Sequence, residues 1–326
     1  MVDYIVVGGG IAGLSIAYLL QSRNYSVLLF EAEKIGSGGS GAAGAFLFPK
    51  VGKQGELAHL INSAINFSIN FYLNHFPKYI HLSKLQYVDT NSIVDGAVVD
   101  ADEVLESLGR NIDISFSRIS KIEETPKGWR VGDIESRNLI LATGAFPTLV
   151  DEPYIKVRPV WGERIDITSD RYLNQSYHDE ISISQTINGK IRIGATHFRN
   201  ILHRDSSILE QEKLLNRAKK IVDLGNTSIV GSYSGVRSAS HDYFPIFGKV
   251  VNSQKTIEKF PNIVHGKKYR EDEYIYYPNL YIWTGLGGYG FSLAPYLSSL
   301  FLSNRLPAIV QPHRRFSRWV RKRENR

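Results

Sequence analysis

Three glycines and one acid near the amino terminus stand out by residue type and spacing. Gly8, Gly10 and Gly13 form the pattern Gly-x-Gly-x-x-Gly, and Glu31 lies 23 residues after the first of them. The first glycine of such a pattern allows a tight turn, the second lets the backbone approach a pyrophosphate, and the third lets a helix lie close to a strand. A carboxylate at this distance accepts hydrogen bonds from ribose hydroxyls. The pattern predicts a bound dinucleotide, with a glycine turn in an ordinary α/β protein as the alternative.

The segments around these residues predict the elements that hold them in place. The run Tyr-Ile-Val-Val at 4–7 is typical of a buried strand, 14–20 has the apolar spacing of a helix, and 27–30 is a second apolar strand. Together they form a βαβ unit with the glycine turn at the start of its helix. The unpaired N–H groups and the positive dipole end at that point favour phosphate.

A second glycine-rich segment follows at 36–44, where small residues are dense. Such residues let the backbone pass close to a flat or charged group, so we interpret this segment as a second contact with the same cofactor. A flexible linker is the alternative, and it is disfavoured because the apolar run 45–48 continues directly from the segment.

The rest of the chain predicts an α/β fold, α+β overall, in two parts. Its 326 residues are enough for two domains. Buried strands at 138–142 and 280–283 continue the first sheet, and a helix at 291–302 closes it. From 157 to 249 the pattern changes to alternating strands, which indicates an antiparallel sheet, interrupted by one helix at 206–224.

Two overlapping stretches near the carboxyl end differ from their surroundings. Residues 244–279 are polar, which predicts mostly loop. Residues 274–304 carry no charge, but they include four glycines and two prolines, so they predict a strand, a turn and a buried helix rather than a membrane span. The first strand begins at Tyr4 with no room for a signal peptide before it, and we predict a cytoplasmic protein without a transmembrane segment.

Composition excludes several kinds of site. The chain has no cysteine, which excludes disulfides, thiolate metal sites, a cysteine nucleophile and a cysteine-linked cofactor. We predict no metal site. The absence of cysteine also fits a reducing compartment.

The net charge of +7 is concentrated at the carboxyl end. Residues 312–326 contain seven basic residues and one acid, so this basic C-terminal tail contributes +6 of the total. A basic tail on a near-neutral body is typical of contact with nucleic acid or an acidic membrane surface. Phe316, Trp319 and Val320 share one face at helical spacing, so a terminal helix docked by its aromatic side chains is the alternative.

Six short motifs appear in order along the chain. They are the fingerprint at 8–13, the loop at 36–44, Leu141-Ala142-Thr143-Gly144, Pro159-Val160-Trp161-Gly162, Gly235-Val236-Arg237 with Asp242 and Pro245, and Gly285-Leu286-Gly287-Gly288-Tyr289-Gly290 with Ala294-Pro295. Together they resemble the FAD-dependent D-amino acid oxidase and glycine oxidase superfamily, nearly end to end. Within it, Ser37 to Pro77, above all the run 44–50, is most similar to the oxidase half of the bifunctional bacterial enzyme that modifies the tRNA wobble uridine. The methyltransferase half is absent here.

The resemblance implies FAD as the cofactor and places its contacts. Gly8, Gly10 and Gly13, with Ile11 and Ala12 between them, fall at the pyrophosphate, and Glu31 falls at the adenosine ribose. The further contacts to the pyrophosphate and the isoalloxazine ring fall on Ser40, Ala43, Gly44, Thr143, Gly144, Gly285, Gly287, Gly288, Tyr289, Gly290 and Phe291.

The resemblance also implies substrate contacts. The family's substrate-carboxylate arginine falls on Arg237, where a planar bidentate donor suits a carboxylate; a surface ion pair is the alternative. Tyr289 is a candidate to orient substrate, with packing as the alternative. His197 and His241 are acid–base candidates, with a structural role as the alternative. The chain departs from the family at Trp161, where arginine is frequent, and this departure concerns the lining of the flavin edge or substrate channel.

The implied fold is a Rossmann-like FAD-binding domain of the glutathione-reductase type plus an antiparallel-sheet substrate domain. We predict that 1–80, 92–156 and 279–326 form the discontinuous FAD-binding domain. The substrate domain is predicted at 81–91 and 157–278.

The implied chemistry is oxidation of a glycine-like amine. Arg237 holds the substrate carboxylate so that the α-hydrogen points at flavin N5, hydride passes to the flavin, and water hydrolyses the imine. One predicted substrate is the carboxymethylaminomethyl group of tRNA wobble uridine, cut to aminomethyl with release of glyoxylate and with the basic tail on tRNA. The alternatives are a free amino acid (glycine, sarcosine or a D-amino acid) and an FAD-bound binding protein without turnover. A single fingerprint predicts no second dinucleotide cofactor.

Overall fold

The structure, a computed structural model, describes residues 1–146 and 149–321. Its strands are β1 (Val2–Val7), β2 (Val27–Glu31), β3 (Phe46–Leu47), β4 (Ile80–Tyr87), β5 (Ser92–Val99), β6 (Asp113–Phe116), β7 (Glu123–Thr125), β8 (Gly128–Val131), β9 (Ile134–Leu141), β10 (Val157–Ser169), β11 (Ser176–His178), β12 (Ser182–Ile183), β13 (Ile191–Gly194), β14 (Phe198–Arg199), β15 (Thr227–Ser240), β16 (Ile246–Val251) and β17 (Tyr276–Thr284). Its helices are α1 (Ile11–Gln21), α2 (Glu56–His75), α3 (Ala101–Gly109), α4 (Ile208–Ile221), α5 (Ser253–Lys259), α6 (Gly290–Leu302) and α7 (Pro312–Arg321). Short 3-10 turns lie at Pro77–Tyr79, Pro261–His265, Glu271–Glu273 and Ala308–Val310.

The first sheet is built on the predicted βαβ unit. Its strand order is β16-β17-β9-β1-β2-β6, and β7 and β8 form a hairpin beside β9. β1 pairs in parallel with both β2 and β9, and β17 pairs in parallel with β9. α1, α2 and α6 cover one face through a shared core that includes Leu14, Ala64 and Leu297. The carboxyl ends of β1, β9 and β17 therefore open at one edge, where ligands bind in sheets of this kind.

The second sheet is mostly antiparallel and carries the long strands β10 and β15. Its order is β14-β10-β13-β12-β11-β4-β5-β3, and β15 pairs with β10 along its whole length. α4 packs Leu214 and Ala218 against Ile165 and Ile167 of β10. Because successive side chains of a strand point to opposite faces, α4 lies on the face of β10 opposite to Gly162. The predicted combination of a parallel and an antiparallel sheet is confirmed.

The sheet boundaries differ from the predicted domain boundaries in two places. β5 pairs with β4 from Ile80↔Val99 to Tyr87↔Ser92, so 92–99 belongs to the second sheet and not to the first. β16 pairs with β17 and is the edge of the first sheet, so the prediction that 244–279 is mostly loop and lies in the substrate domain is wrong for 246–251. In both cases a hairpin partner decides which sheet a strand joins, and pairing is not visible in the strand's own pattern.

The amphipathic end of the chain is a docked helix as far as the structure describes it. Phe316 and Val320 of α7 are completely buried in a cluster with Tyr154, Val251 and Tyr274. The rings of Tyr154 and Tyr274 meet Phe316 edge-on, with centroids 5.6 and 5.1 Å away. For residues 312–321 the structure therefore shows the predicted alternative, a terminal helix docked by its aromatic side chains. The last five residues of the predicted tail, 322–326, lie outside the described residues.

No helix in the described part of the chain is both long and apolar enough to cross a membrane. The uncharged stretch at 274–304 forms β17, a glycine turn and α6, as its glycines and prolines predict.

Removing the Phe316 ring should destabilise the whole fold. We expect Phe316→Ala to lower the free energy of unfolding by about 3–5 kcal/mol, because it leaves a cavity between α7 and the aromatic cluster. Urea denaturation followed by circular dichroism measures this change. Arg321→Ala on the exposed face of the same helix serves as the control and should change it by less than about 0.5 kcal/mol; equal effects of the two variants would contradict a docked α7.

Candidate active site

The glycine turn after β1 packs so closely that it has no room for side chains. Gly8 has φ +115°, and a Cβ there would overlap the carbonyl oxygen of Ala142 at the end of β9. A Cβ on Gly13 would overlap the carbonyl oxygen of Gly8. α1 therefore starts directly against β1, with Gly10 as its N-cap and no side-chain cap hydrogen bond. Its first N–H groups and the positive end of its dipole lie at the turn.

Glu31 is fixed beside this turn. Its Oε2 accepts a 2.6 Å hydrogen bond from the Gly9 N–H, and its Oε1 accepts from the Glu33 N–H at 3.0 Å and from the Ser37 hydroxyl at 3.1 Å. The carboxylate is thus held at the end of β2, next to the turn, as the ribose role requires. Ser37 is a contact that sequence reasoning did not assign.

The glycine-rich segment 36–44 lies between the start of α1 and strand β15. The Ser40 hydroxyl accepts a 3.0 Å hydrogen bond from the Ile11 N–H. On the other side, a Cβ on Gly39 would come within 2.6 Å of the Val236 carbonyl oxygen, and a Cβ on Gly235 within 2.5 Å of the Gly38 carbonyl oxygen. The segment is not a free linker, because its backbone contacts the backbone of β15.

The loop after β17 is attached to the same strand. The Gly287 N–H donates to the Ser238 carbonyl at 2.7 Å, and the Gly285 N–H donates to the Ser238 hydroxyl at 3.1 Å. Thr284 Oγ1 donates to the Gly144 carbonyl at 2.7 Å, which joins this loop to the turn after β9. Both Gly285 and Gly287 have positive φ, as does Gly144.

The predicted cofactor residues lie on five segments: the glycine turn with the start of α1, the end of β2, the 36–44 segment, the turn after β9, and the loop after β17 with the start of α6. Those not yet placed lie on the first turn of α1, on the 36–44 segment, after β9 and at the start of α6: Ile11, Ala12, Ala43, Gly44, Thr143, Gly288, Gly290 and Phe291. α6 begins after Tyr289, which caps it without a side-chain hydrogen bond. Two helix N-termini therefore lie at the edge where β1 and β17 end.

Arg237 lies on β15 beside both loops, and its guanidinium has no acidic partner. It occupies the register position opposite Val160, and its Nη1 donates to the Thr196 carbonyl oxygen at 3.2 Å. Within residues 1–146 and 149–321, no carboxylate forms an ion pair with it, although burial lowers its pKa to about 10. It remains cationic at pH 7. A half-buried cation that pairs with no carboxylate of the described residues is suited to a carboxylate ligand.

Gly162 provides the space that the Arg237 side chain occupies. A Cβ on Gly162 would lie 2.5 Å from Nη1 and 2.7 Å from Cζ of Arg237. The guanidinium therefore lies flat on the backbone of β10. Gly162 ends the motif Pro159-Val160-Trp161-Gly162, but the sequence predicted no role for it. The preceding Trp161 packs with Ala145 and Val236 on the other face of the strand, so it does not line the Arg237 side.

Tyr289 packs against the core of the first sheet and also carries a cation. The Nζ of Lys50 lies 5.1 Å from the centre of its ring. Asn62 of α2 holds the Lys50 backbone on both sides: its Oδ1 accepts the Lys50 N–H at 2.8 Å and its Nδ2 donates to the Lys50 carbonyl at 3.3 Å. The structure shows the packing interpretation of Tyr289, and its role in orienting substrate remains a prediction. Sequence reasoning gave Lys50 no role, although Lys50 lies in the 44–50 run quoted for its resemblance.

Of the two histidine candidates, His197 lies beside Arg237. Its Nδ1 is 3.4 Å from Arg237 Nη1, and burial, Arg237 and Arg199 lower its pKa, so it is neutral at pH 7 and accepts from the guanidinium. His241 lies just after β15 and is exposed. In the described part of the chain no three His, Asp or Glu side chains cluster in a way that would hold a metal ion.

The sequence matches the family model described as FAD dependent oxidoreductase, over residues 3–81 and 93–301. The chain belongs to this family. FAD is therefore its cofactor, and the predicted family, cofactor and oxidoreductase class are confirmed. The residues present fit FAD, because the glycine turn leaves a cradle that a Cβ would fill and two helix N-termini face the same edge. Which side chains contact FAD remains a prediction.

Relatives with curated names are described as tRNA 5-methylaminomethyl-2-thiouridine biosynthesis bifunctional protein MnmC. The protein from Legionella pneumophila (strain Corby) is 26% identical over 89% of this chain and 52% of its own length. That from Campylobacter fetus subsp. fetus (strain 82-40) is 22% identical over 92% of this chain and 55% of its own length. The chain spans about half the length of these relatives.

Solved structures with this fold include two glycine oxidases. That from Geobacillus kaustophilus superposes with a TM-score of 0.75 at 18% identity, covering 94% of both chains. That from Bacillus cereus ATCC 14579 gives 0.74 at 18% identity, covering 93% of this chain and 96% of the other. L-proline dehydrogenase from P. horikoshii gives 0.74 at 16% identity, covering 98% of each chain. At these identities the likeness shows the fold.

A methyl group on Gly13 should weaken FAD binding. We expect Gly13→Ala to lose affinity for FAD by about tenfold or more, because α1 must move away from β1 at a cost of about 1–3 kcal/mol. Fluorescence titration of the apoprotein with FAD measures this. Gly132→Ala is the control, since Gly132 lies in the exposed turn between β8 and β9 and a Cβ there meets nothing within 4 Å. Equal affinities of the two variants would contradict the close-packed turn.

Acid should destabilise the protein partly through His178 near Lys50. Burial, with the nearby Lys50, lowers the pKa of His178 below its ordinary value of 6.5, so the unfolded chain binds this proton first and stability falls as the pH drops below about 6.5. His178→Asn removes this effect and also the 2.9 Å hydrogen bond with Ser182, which contributes about 1 kcal/mol. We expect the variant to melt below the wild type at pH 7.5 and the difference to shrink by pH 5.5. A difference that widens on acidification would contradict the assignment.

Proposed function

We propose that this chain oxidises the carboxymethylaminomethyl group of tRNA wobble uridine to aminomethyl and releases glyoxylate. The observation that carries the proposal is the guanidinium of Arg237, which forms an ion pair with no carboxylate of the described residues. It is held against the backbone of β10 beside the two loops of the FAD site. The substrate group is a secondary amine that ends in a carboxylate, as in glycine. The names of the curated relatives support a modified uridine as the carrier of that group.

Arg237 binds the substrate carboxylate and fixes the orientation of the amine. Its planar fork donates two hydrogen bonds in one plane, so the carboxylate has one orientation and the adjacent carbon a defined position. Gly162 sets that plane because the guanidinium rests on its backbone. His197 is neutral at pH 7 and adds no second positive charge, so the carboxylate is held by one guanidinium.

FAD, held by the glycine turn and the 36–44 segment, would supply the hydride acceptor for the carbon between the amine and the carboxylate. The amine loses its N–H proton to solvent and becomes an imine, so two electrons and two protons leave the substrate. Water adds to the imine carbon, and the carbon–nitrogen bond breaks to give the aminomethyl uridine and glyoxylate. This chain supplies position and charge, and the chemistry needs no dedicated base when the amine binds neutral.

A free glycine-like amino acid is the second candidate substrate. Arg237 recognises a carboxylate, which glycine and sarcosine also carry. Part of the basic tail is also used within the protein, since Arg315 is buried and pairs with Asp242 at 2.8 Å. This observation favours the small substrate because it takes one positive charge away from an RNA surface.

Flavin reduction under anaerobic conditions distinguishes the two substrates. We expect tRNA that carries carboxymethylaminomethyl uridine to bleach the flavin absorbance and to yield glyoxylate in equal amount. Glycine, sarcosine and D-alanine, tested at millimolar concentration, should reduce it slowly. Rapid bleaching by a free amino acid and none by the modified tRNA would replace the proposal with the second candidate.

Substitution of Arg237 tests the role of the guanidinium. We expect Arg237→Ala to lower kcat/KM for the carboxylate amine about 100-fold, corresponding to about 3 kcal/mol for a lost charged hydrogen-bond pair. Arg237→Lys keeps the positive charge but loses the planar pair of donors. Its kcat/KM should lie between those of the wild type and Arg237→Ala. Arg199→Ala removes a nearby exposed guanidinium as the control, and FAD content should stay unchanged in all three. A kcat/KM for Arg237→Ala equal to that of Arg199→Ala would refute the role.

A further inference from the structure

The face of α7 that points away from the core carries a row of arginines. Arg314, Arg318 and Arg321 follow each other at helical spacings of four and three residues, so they share one face. At 1.5 Å of rise per residue the row is roughly 10 Å long. We call these three residues the arginine row. Arg318 and Arg321 are exposed and Arg314 is half-buried.

Little negative charge on the protein balances the arginine row. Asp242 is the carboxylate beside it, and Arg315, from the buried side of α7, already pairs with Asp242 at 2.8 Å. Arg318 reaches the other oxygen of the same carboxylate at 3.2 Å. Arg314 donates to the Ile309 carbonyl and lies over the ring of Phe244. Arg315 and Arg318 thus share the Asp242 carboxylate, Arg321 donates to the Ser317 carbonyl, and the row keeps a surplus of positive charge.

The arginine row is connected to the loop that precedes α6 in the active site. Phe244, which lies under the Arg314 guanidinium, comes five residues after Ala239 of β15, and Ala239 bridges Leu286 in the loop before α6. Lys53 precedes Glu56 by three residues and is exposed. Lys50, three residues further back, places its Nζ over Tyr289. The arginine row and Lys50 are thus both connected to the loop that ends at Tyr289, the row through Phe244 and Lys50 by direct contact.

We propose that the arginine row and Lys53 bind successive phosphates of a single-stranded RNA segment and lead its modified base to Lys50 and Tyr289. This inference rests on the proposed function and names the surface that distinguishes a nucleic-acid substrate from a free amino acid. Arginines bind phosphate oxygens, and aromatic faces stack on bases, without reading sequence. The surface fits RNA better than it fits a membrane because the apolar face of α7, Phe316 and Val320, is buried inside the protein.

The chain offers a matched control on another face. Lys219 and Lys220 of α4 are exposed, and α4 packs on the face of β10 opposite to Gly162 and Arg237. The double variant Lys219→Gln/Lys220→Gln removes the same charge as Arg314→Gln/Arg318→Gln, but from α4 rather than from α7. Far-ultraviolet circular dichroism and FAD content show whether both variants keep the fold.

The experiment measures the affinity of the full chain, loaded with FAD, for unmodified tRNA at a series of salt concentrations. We expect Arg314→Gln/Arg318→Gln to bind about tenfold more weakly than the wild type at 0.1 M salt. The slope of log K against log salt should fall in magnitude by about 1.4, or about 0.7 for each lost contact to a single strand. Lys219→Gln/Lys220→Gln should leave both quantities within error of the wild type.

The outcomes separate this inference from the proposed function. Equal affinities and slopes for the two double variants would overturn the arginine row, even where the wild type still reduces its flavin with modified tRNA. Wild-type protein that binds no tRNA at any salt concentration would overturn it as well. Flavin bleaching by the modified nucleoside alone then decides whether the oxidation itself stands. Weaker binding to vesicles of acidic lipid, with tRNA binding unchanged, would assign the row to a membrane instead.

Discussion

The contact between backbone and backbone along β15 is the constraint on which the site depends. Gly39 and Gly235 let the 36–44 segment lie against the strand without intervening side chains. The loop after β17 is hydrogen-bonded to Ser238 of the same strand. Arg237 lies between these two attachments, so its position relative to the FAD turn is set by main-chain geometry. Side-chain packing alone would leave a long guanidinium free to move, and a carboxylate would not be held at a fixed angle.

This arrangement divides the work between the two sheets. The parallel sheet supplies glycine turns and helix N-termini, which bind phosphate and stabilise negative charge through backbone N–H groups. The antiparallel sheet supplies the charged side chain, and Gly162 on β10 gives that side chain a flat surface. An FAD dependent oxidoreductase needs both, because the cofactor performs the oxidation and the protein decides which carbon it reaches.

The two faces of α7 differ in what they contact. Phe316 and Val320 dock it in an aromatic cluster, and Arg315 is used internally to pair with Asp242. Only the opposite face remains available for a polyanion. Within residues 312–321 the helix is docked by one face and carries Arg314, Arg318 and Arg321 on the other. An amphipathic helix permits both because residues three and four apart share a face.

The sequence by itself determined the βαβ unit, the cofactor and the family, because these depend on local features: glycine spacing, an acid at a set distance, and apolar runs of strand or helix length. Through the resemblance, it also predicted Arg237 as the arginine that binds the substrate carboxylate. Only the tertiary structure decided that β5 joins the second sheet and β16 the first, since strand pairing is a long-range choice that the strand's own residues do not encode. Only the tertiary structure shows that the Arg237 guanidinium lies against the backbone of Gly162 and that the Lys50 cation lies over Tyr289. It also shows that no carboxylate of the described residues pairs with Arg237. Each of these joins residues far apart in the chain, and only folding brings them together.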